Sequence, residues 1–260
     1  MGLSDTDIQG VRESYAANWN ERNETNMLRF EKTPAYMFFE NVAANLKFVA
    51  PQAKILVSLR DPVERAYSNY KHNQHKNLRR GRHVPFETCI EEDMQFLAKA
   101  GITNETFWTC DDLERDRRWL EYFHIWRHYR RGRGYKELTE EQQLSRCDGE
   151  IGRGLYFLQL QQWFNEYNDD MSRKLIFAYK SENMKPNKET HQINLKPLTD
   201  FIGIEEVNMI TAEEMHKTKD IGPMKNETKR MLRKFYEPFN RMLYSQLGEG
   251  WENPWPYGLK

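Results

Sequence analysis

An anion-binding pattern lies between Lys54 and Lys76, in the segment KILVSLRDPVERAYSNYKHNQHK. Arg60 follows an apolar run, Ile55–Leu59, whose composition predicts a strand that is covered on both faces. Pro62 can open the next helix, because the first turn of a helix leaves N–H groups without partners in any case. In open α/β sheets, the carboxyl ends of strands and the helix N-termini facing them form the ligand crevice, where free N–H groups favour phosphate or sulfate.

Two further side chains of this segment could contact the same anion. Ser68 and His72 lie one turn apart on the predicted helix, so they share a face. Arg60 could supply the positive charge. The alternative for Arg60 taken alone is an arginine at a strand end that forms a surface ion pair.

These residues resemble the 3′-phosphate-binding segment of the sulfotransferases that use 3′-phosphoadenosine 5′-phosphosulfate. In that family an arginine that ends a strand and a serine eight positions later bind the 3′-phosphate, and the matching residues are Arg60 and Ser68. The resemblance is closest to the Golgi branch that sulfates heparan-type and other glycans. It implies a forked, charge-assisted contact from Arg60 and a hydroxyl donor from Ser68.

The same resemblance gives two residues a role near the reaction centre. The segment EKTPAY, Glu31–Tyr36, is similar to an element of that branch whose lysine, here Lys32, lies at the reaction centre or against the acceptor. An ion pair between Lys32 and Glu31 or another carboxylate is the alternative. His72 matches a histidine near the acceptor, where it could accept a proton or stabilise the bridging oxygen. An exposed helix histidine is the other interpretation.

Four more segments extend the resemblance to about residue 248. Tyr156 matches the tyrosine of the family's Gly-x-Tyr helix, which implies a nucleotide contact, although packing in the core is an equal alternative. Lys217 and Lys219 lie where the family has a basic loop that closes over the nucleotide. The strand at Lys174–Glu182 and the final helix at Asn226–Leu247 also match.

The family's opening strand, its Pro-Lys-x-Gly-Thr-Thr loop and the following helix have no counterpart in this sequence. The glycine-bearing stretches 131–134 and 149–154 do not follow a predicted strand, so we interpret them as a loop or a helix start. We therefore expect an amino-terminally truncated sulfotransferase domain over residues 1–260. The expected fold is α/β, with a parallel sheet flanked by helices, of the P-loop-like sulfotransferase type without its first strand, loop and helix.

The implied activity is transfer of a sulfuryl group from 3′-phosphoadenosine 5′-phosphosulfate to a hydroxyl or amine of a carbohydrate, with 3′,5′-adenosine bisphosphate as product. One alternative is a non-catalytic nucleotide- or glycan-binding module derived from such an enzyme. A nucleotide kinase is a second alternative, but the sequence lacks a Gly-Lys-Ser/Thr loop. His124 and His128 have a spacing that suits a metal ligand pair, yet no catalytic glutamate lies between them, so we expect no metal site.

Composition limits the partners without naming one. Lys plus Arg and Asp plus Glu both number 39, so the net charge gives no argument for nucleic acid, and no nucleic-acid-reading motif is present. Two basic clusters could attract an anionic polysaccharide or could be solvated faces. They are Arg79, Arg80, Arg82 and His83, and Arg127, His128, Arg130, Arg131, Arg133 and Lys136.

The location is implied by the family and is consistent with three Asn-x-Thr sequons, at Asn23, Asn104 and Asn226. No segment reaches the roughly 18 apolar residues of a membrane span, so the chain as given is expected to be soluble, with a Golgi-lumenal location and any anchor upstream. Cys89, Cys110 and Cys147 allow at most one disulfide, which leaves the redox compartment open.

Patterning predicts the elements that position these residues. Helices are expected at 5–18, 35–49, 62–76, 85–99, 105–131, 152–167, 197–202 and 226–247, and strands at 30–33, 54–60 and 174–179. Strands that alternate with helices favour a parallel sheet.

Overall fold

The computed structural model describes residues 5–17, 28–78, 84–130, 147–184, 193–205, 222–255 and 257. Its helices are α1 (Asp5–Ala17), α2 (Val42–Val49), α3 (Pro62–Leu78), α4 (Phe86–Lys99), α5 (Asp112–Arg130), α6 (Tyr156–Glu166), α7 (Asp170–Arg173), α8 (Lys196–Ile202) and α9 (Asn226–Leu247). Its strands are β1 (Ile55–Leu59) and β2 (Ile176–Lys180), and short 3-10 helices span Glu105–Phe107, Gly152–Gly154 and Ser181–Met184.

The two strands form a parallel sheet, which confirms the predicted α/β class. Pairing runs in register from Ile55 opposite Ile176 to Leu59 opposite Lys180. Both strands therefore end at the same edge of the sheet. Ligands of open α/β sheets bind at this carboxyl edge.

The two faces of β1 differ in burial, which corrects the expectation of a strand covered on both sides. Val57 and Leu59 are buried, whereas Ser58 is exposed and Leu56 is 42% exposed. Successive side chains of a strand point to opposite faces. Among the described residues, the face of β1 that carries Val57 and Leu59 therefore packs on the core, and the face that carries Leu56 and Ser58 is accessible.

The strand predicted at 30–33 was wrong. Residues 28–33 are irregular and exposed, turns occupy 34–41, and α2 begins at Val42 instead of residue 35. Pro34 has no N–H to donate to a strand ladder or to a helix interior, which disfavours regular structure around it. Asn41 has a left-handed backbone conformation, φ 61°, immediately before α2.

The long helix predicted at 105–131 is two elements. A 3-10 helix ends at Phe107, and α5 starts at Asp112. Asp111 Oδ1 accepts a hydrogen bond of 2.8 Å from the Glu114 backbone, which gives α5 its own N-cap. Likewise, the helix predicted at 152–167 begins as the 3-10 turn Gly152–Gly154 and continues as α6.

The core is aromatic and lies between α5, α6 and α9. Phe38 meets Trp119, Phe123 and Trp126 edge-to-face, at ring-centroid distances of 5.6, 5.5 and 4.9 Å. Such pairs add to the stabilisation that comes from burying apolar area. α9 packs on α6 and α3, and α2 packs on α6, so the helices hold the sheet from its buried face.

A disulfide joins α4 to the segment that precedes α6. It links Cys89 and Cys147, while Cys110 is a partly buried free thiol. The sequence allowed at most one disulfide, and the structure forms one. None of the helices in the described ranges is both long and apolar enough to cross a bilayer.

Candidate functional site

The junction between β1 and α3 is built by Asp61. Its Oδ1 accepts hydrogen bonds from the backbone N–H groups of Val63, at 2.8 Å, and Glu64, at 3.3 Å. This is N-capping by an aspartate, with Pro62 in the first turn where no N–H is required. The strand and the proline-opened helix that the sequence predicts are therefore present.

The same capping corrects one part of the anion-site argument. The amides of Val63 and Glu64 are occupied by Asp61 Oδ1, and the Arg65 amide donates to the Asp61 carbonyl at 2.8 Å. Because Pro62 has no N–H, the first turn of α3 offers no free amide to a phosphate. An anion at this junction must be bound by side chains.

Three of the predicted site residues lie on this strand–turn–helix unit. Arg60 is exposed at the carboxyl end of β1, Ser68 is half-buried on α3, and His72 is exposed one turn further along. Six residues of helix place Ser68 about 9 Å along the axis from Pro62. Their roles toward a nucleotide stay predictions.

Arg60 has a guanidinium that is available to a ligand. Among the residues the structure describes, no carboxylate forms an ion pair with it. The neighbouring Asp61 is instead directed to the N-terminus of α3. An unpaired, exposed arginine at the carboxyl edge of a parallel sheet can form forked hydrogen bonds with phosphate.

The carboxyl ends of the two strands are tied together through Asp61. The Asp61 backbone N–H donates to Glu182 Oε1 at 2.9 Å, and the Tyr257 hydroxyl donates to Asp61 Oδ1 at 3.2 Å. Burial raises the pKa of Asp61 and outweighs the hydrogen bonds that lower it. Neither Asp61 nor Tyr257 was predicted as a site residue, although an aspartate before a helix-opening proline is a recognisable capping signal.

Tyr156 lies in the core beside the strand end. Its side chain is buried, and burial raises the pKa of its hydroxyl to about 12, opposed by the Arg65 charge and by a hydrogen bond from the Arg60 backbone. Tyr156 therefore has the core-packing role that the sequence left open as an alternative. It also contacts the backbone of Arg60. A nucleotide contact of Tyr156 stays a prediction.

Of the other predicted residues, the structure describes Lys32 but not the two lysines near the carboxyl end. Lys32 is exposed in the irregular segment 28–33, without the strand that was expected beneath it. Lys217 and Lys219 lie outside the described residues. The first basic cluster, at 79–83, also lies outside them.

A second region of charged groups lies on the solvent side of α5. Arg127 and His124 approach the Glu40 carboxylate at 3.3 and 3.4 Å, and His128 is exposed. These side chains belong to a groove of about 570 Å³. Its lining comprises Lys99, Glu121, His124, Ile125, Arg127, His128 and Tyr129.

The glycine-bearing stretch 149–154 is a structural turn. Asp93 Oδ2 accepts hydrogen bonds from the amides of Ile151, at 2.7 Å, and Gly152, at 2.8 Å, and its Oδ1 accepts one from the Tyr122 hydroxyl, at 2.7 Å. A Cβ atom on Gly152 would overlap the Tyr122 hydroxyl, so only glycine fits there. The amides that could have bound a phosphate are therefore occupied, which agrees with our interpretation of this stretch as a helix start.

Comparison with known proteins identifies sulfotransferases as relatives. No family model matches the sequence. The chain is 25% identical over 265 residues to the membrane-associated sulfotransferase kil1 of Dictyostelium discoideum, covering 88% of the chain and 54% of the relative. It is 23% identical over 239 residues to the human heparan sulfate glucosamine 3-O-sulfotransferases 3B1 and 3A1, covering 86% of the chain and 50% and 48% of the relatives.

A solved sulfotransferase structure is also similar. It comes from Alicyclobacillus acidocaldarius, with 18% identity, a TM-score of 0.45, and coverage of 84% of this chain and 64% of that one. The chain spans about half the length of the curated relatives it matches. The sequence relatives of the chain are therefore sulfotransferases, including heparan sulfate 3-O-sulfotransferases, at low identity.

Proposed function

We propose that the protein transfers a sulfuryl group from 3′-phosphoadenosine 5′-phosphosulfate to a hydroxyl or amine of a carbohydrate, and releases 3′,5′-adenosine bisphosphate. The observation that carries the proposal is the β1–α3 junction, where Arg60 follows a parallel strand and has no ion-pair partner within the described ranges, and where Ser68 lies two turns into the next helix. The sulfotransferase relatives support sulfuryl transfer in general.

The side chains at the junction suit the non-reacting 3′-phosphate. Asp61 occupies the helix amides, so Arg60 and Ser68 would bind this group with a charge-assisted fork and a hydroxyl. Both are binding anchors in this proposal, and neither touches the sulfur. Their loss should weaken nucleotide affinity more than turnover.

Sulfuryl transfer moves a planar, charge-delocalised group in line between two heteroatoms, as phosphoryl transfer does. Positioning and charge stabilisation therefore supply most of the catalysis. We assign Lys32 to the charge on the transferring or accepting oxygen, and His72 to proton transfer or to the same oxygen. Lys217 and Lys219 are assigned to closure over the nucleotide.

A glycan is the acceptor class best supported by the relatives, two of which are named for heparan sulfate glucosamine. Heparan-type chains are polyanions, and the groove on α5 presents Lys99, Arg127 and His128. Cationic grooves concentrate anionic partners. We therefore propose an anionic polysaccharide as acceptor.

A Golgi-lumenal location is part of the proposal. The Cys89–Cys147 disulfide suits an oxidising compartment. Two of the sequon asparagines, Asn104 and Asn226, are exposed and so are accessible to glycosylation. A mass shift of the secreted or lumenal protein on treatment with an N-glycosidase would test this assignment.

The deciding experiment pairs turnover with binding. Wild-type protein is incubated with sulfur-labelled 3′-phosphoadenosine 5′-phosphosulfate and unsulfated heparosan, and calorimetry measures binding of 3′,5′-adenosine bisphosphate. Labelled polysaccharide is the expected product. Binding without labelled product would instead indicate a non-catalytic nucleotide-binding module, and absence of both would refute the proposal.

A further inference from the structure

We infer that Tyr257 is a positioning residue of the anion site: its hydroxyl helps to hold the Asp61 carboxylate at the N-terminus of α3, away from Arg60, and so keeps the guanidinium free for a phosphate. The inference rests on the proposed function. It assigns a role to the carboxyl-terminal segment, which none of the sequence motifs covers.

Tyr257 is brought to the junction by the residues that precede it. Trp251 and Trp255 are buried in the core, and their rings lie 6.0 Å apart between centroids. The segment therefore folds back along α9. Asn240 on that helix donates to the Tyr257 hydroxyl at 3.2 Å, and the Arg233 guanidinium lies 5.6 Å from the ring centroid.

The Tyr257 hydroxyl is a donor at the point where Asp61 needs one. Asp61 Oδ1 already accepts from the amides of Val63 and Glu64, and the Tyr257 hydroxyl adds a third donor. Burial and the Asp61 charge both raise the pKa of the Tyr257 hydroxyl, which keeps it protonated at physiological pH. Asn240 in turn donates to its oxygen, which fixes the direction of the hydroxyl.

The consequence for ligand binding follows from the chain order. Asp61 is the residue next to Arg60, so a carboxylate released from its cap is within reach of the guanidinium. An internal ion pair would compete with the 3′-phosphate for the same donors. Restraint of Asp61 therefore preorganises Arg60, and loss of that restraint should weaken binding of the ligand.

The test compares two nucleotides that differ by one phosphate. Calorimetry on the full chain measures the affinity for 3′,5′-adenosine bisphosphate and for 5′-adenosine monophosphate. The variant Tyr257→Phe should bind the bisphosphate about fivefold more weakly, the effect of one lost hydrogen bond, and should bind the monophosphate unchanged. Tyr70→Phe is the matched control, since it removes a buried hydroxyl contact of α3, to the Val84 carbonyl at 2.7 Å, away from the junction.

A double-mutant cycle separates positioning from simple stabilisation. Asp61→Asn retains an oxygen for the cap but cannot form an ion pair with Arg60. The fivefold effect of Tyr257→Phe should therefore disappear when it is added to Asp61→Asn. An equal effect in both backgrounds, or an equal loss of affinity for both nucleotides, would overturn the inference.

The result for wild-type protein distinguishes this inference from the proposed function. If wild-type protein does not prefer the bisphosphate, the proposed 3′-phosphate site fails and the inference fails with it. If wild-type protein does prefer it and Tyr257→Phe retains the full preference, only the role of Tyr257 is refuted.

Discussion

At the scale of single residues, Arg60 is an exposed cation that forms no ion pair with any carboxylate in the part of the chain that the structure describes. Its neighbour Asp61 is the obvious carboxylate to neutralise it, and the structure directs that carboxylate to the α3 amides instead. Because Asp61 caps α3, its carboxylate leaves the Arg60 guanidinium available to a ligand. The sequence shows both residues, but it does not show whether the Asp61 carboxylate binds the α3 amides or the Arg60 guanidinium.

Replacement of Arg60 tests the binding site most directly. Arg60→Ala should weaken binding of 3′,5′-adenosine bisphosphate by about 10- to 100-fold, because hydrogen bonds to charged groups contribute about 1.5–3 kcal/mol. Arg60→Lys should recover part of the loss, since it keeps the charge without the fork. Calorimetry provides the measurement. The control is Arg117→Ala, which removes an exposed arginine on α5 that pairs with Glu114. If Arg60→Ala binds the bisphosphate as tightly as wild type does, Arg60 is not part of the binding site.

Lys32 should behave in the opposite way, because it is assigned to the reacting oxygens. We expect Lys32→Ala to lower kcat by about 100-fold, the scale of losing one group that stabilises transition-state charge, with bisphosphate affinity within twofold of wild type. Initial rates at saturating donor give kcat, and calorimetry gives the affinity for the bisphosphate. Lys234→Ala, an exposed lysine on α9, is the control. A fall in affinity with unchanged kcat would place Lys32 at the nucleotide instead.

At the scale of elements, the segment 147–154 acts as a hub between helices. The Arg65 side chain on α3 donates to the Glu150 carbonyl, and the Tyr236 hydroxyl on α9 donates to the Ile151 carbonyl at 2.8 Å. Asp93 on α4 holds two of its amides. α3, which carries Ser68, is thereby linked through this segment to α4 and α9.

The Cys89–Cys147 disulfide should stabilise this hub. It joins residues separated by 58 positions, and the chain-entropy model assigns about 4 kcal/mol to a loop of that length. Cys89→Ala with Cys147→Ala should lower the free energy of unfolding by roughly 2–4 kcal/mol in urea titrations. Cys110→Ala removes a thiol outside the bridge and should cost less. Unfolding midpoints that coincide for the double variant and wild type would show that the bridge contributes nothing.

Sequence patterns predicted the elements well where the signal was local. The strand before Arg60, the proline-opened helix α3 and the long amphipathic α9 all follow from apolar spacing and punctuation residues. One error arose where a long-range partner decides the outcome, since residues 30–33 pair with no strand in the part of the chain that the structure describes. Another arose from a local cap, because Asp111 caps α5 and so divides a helix whose apolar spacing continues across it.

The site was predicted in part for the same reason. Arg60, Ser68 and His72 are close in sequence, so their placement on one strand–helix unit could be inferred. Tyr257 lies 196 residues from Asp61, and Glu182 lies 121 away. No local pattern connects such positions, because their meeting depends on how α9 and the sheet pack.

At the scale of the whole molecule, the fold buries a carboxyl group that is not fully satisfied. Glu150 is inaccessible to solvent, its Oε2 accepts a hydrogen bond from the Asp148 amide at 2.9 Å, and its Oε1 has no donor among the described residues. Burial, followed by the nearby Asp93 charge, raises its pKa to about 8. The folded protein therefore carries this group in its neutral form at pH 7.

This group predicts how global stability depends on pH. The native pKa of about 8 exceeds the reference value of 4.5, so the folded state binds more protons than the unfolded state between these values. Stability should therefore fall as pH rises, with a loss of roughly 1.5 kcal/mol between pH 6.5 and 8 at about 1.4 kcal/mol per pH unit, and level off above the native pKa. This window lies above the pKa of Asp116, which burial raises to about 6.

Thermal unfolding across that window checks the prediction. Glu150→Gln cannot ionise, so its melting temperature should change less with pH and should exceed that of wild type at pH 8. Glu114→Gln is the control, because Glu114 lies at the surface in a partly exposed position and its pKa is lowered to about 2 by Arg117 and Arg118, so it stays charged throughout the window. If wild type and Glu150→Gln lose stability in parallel from pH 6.5 to 8, the buried carboxyl is not the group that titrates, and the hub at 147–154 must tolerate a charge within the core.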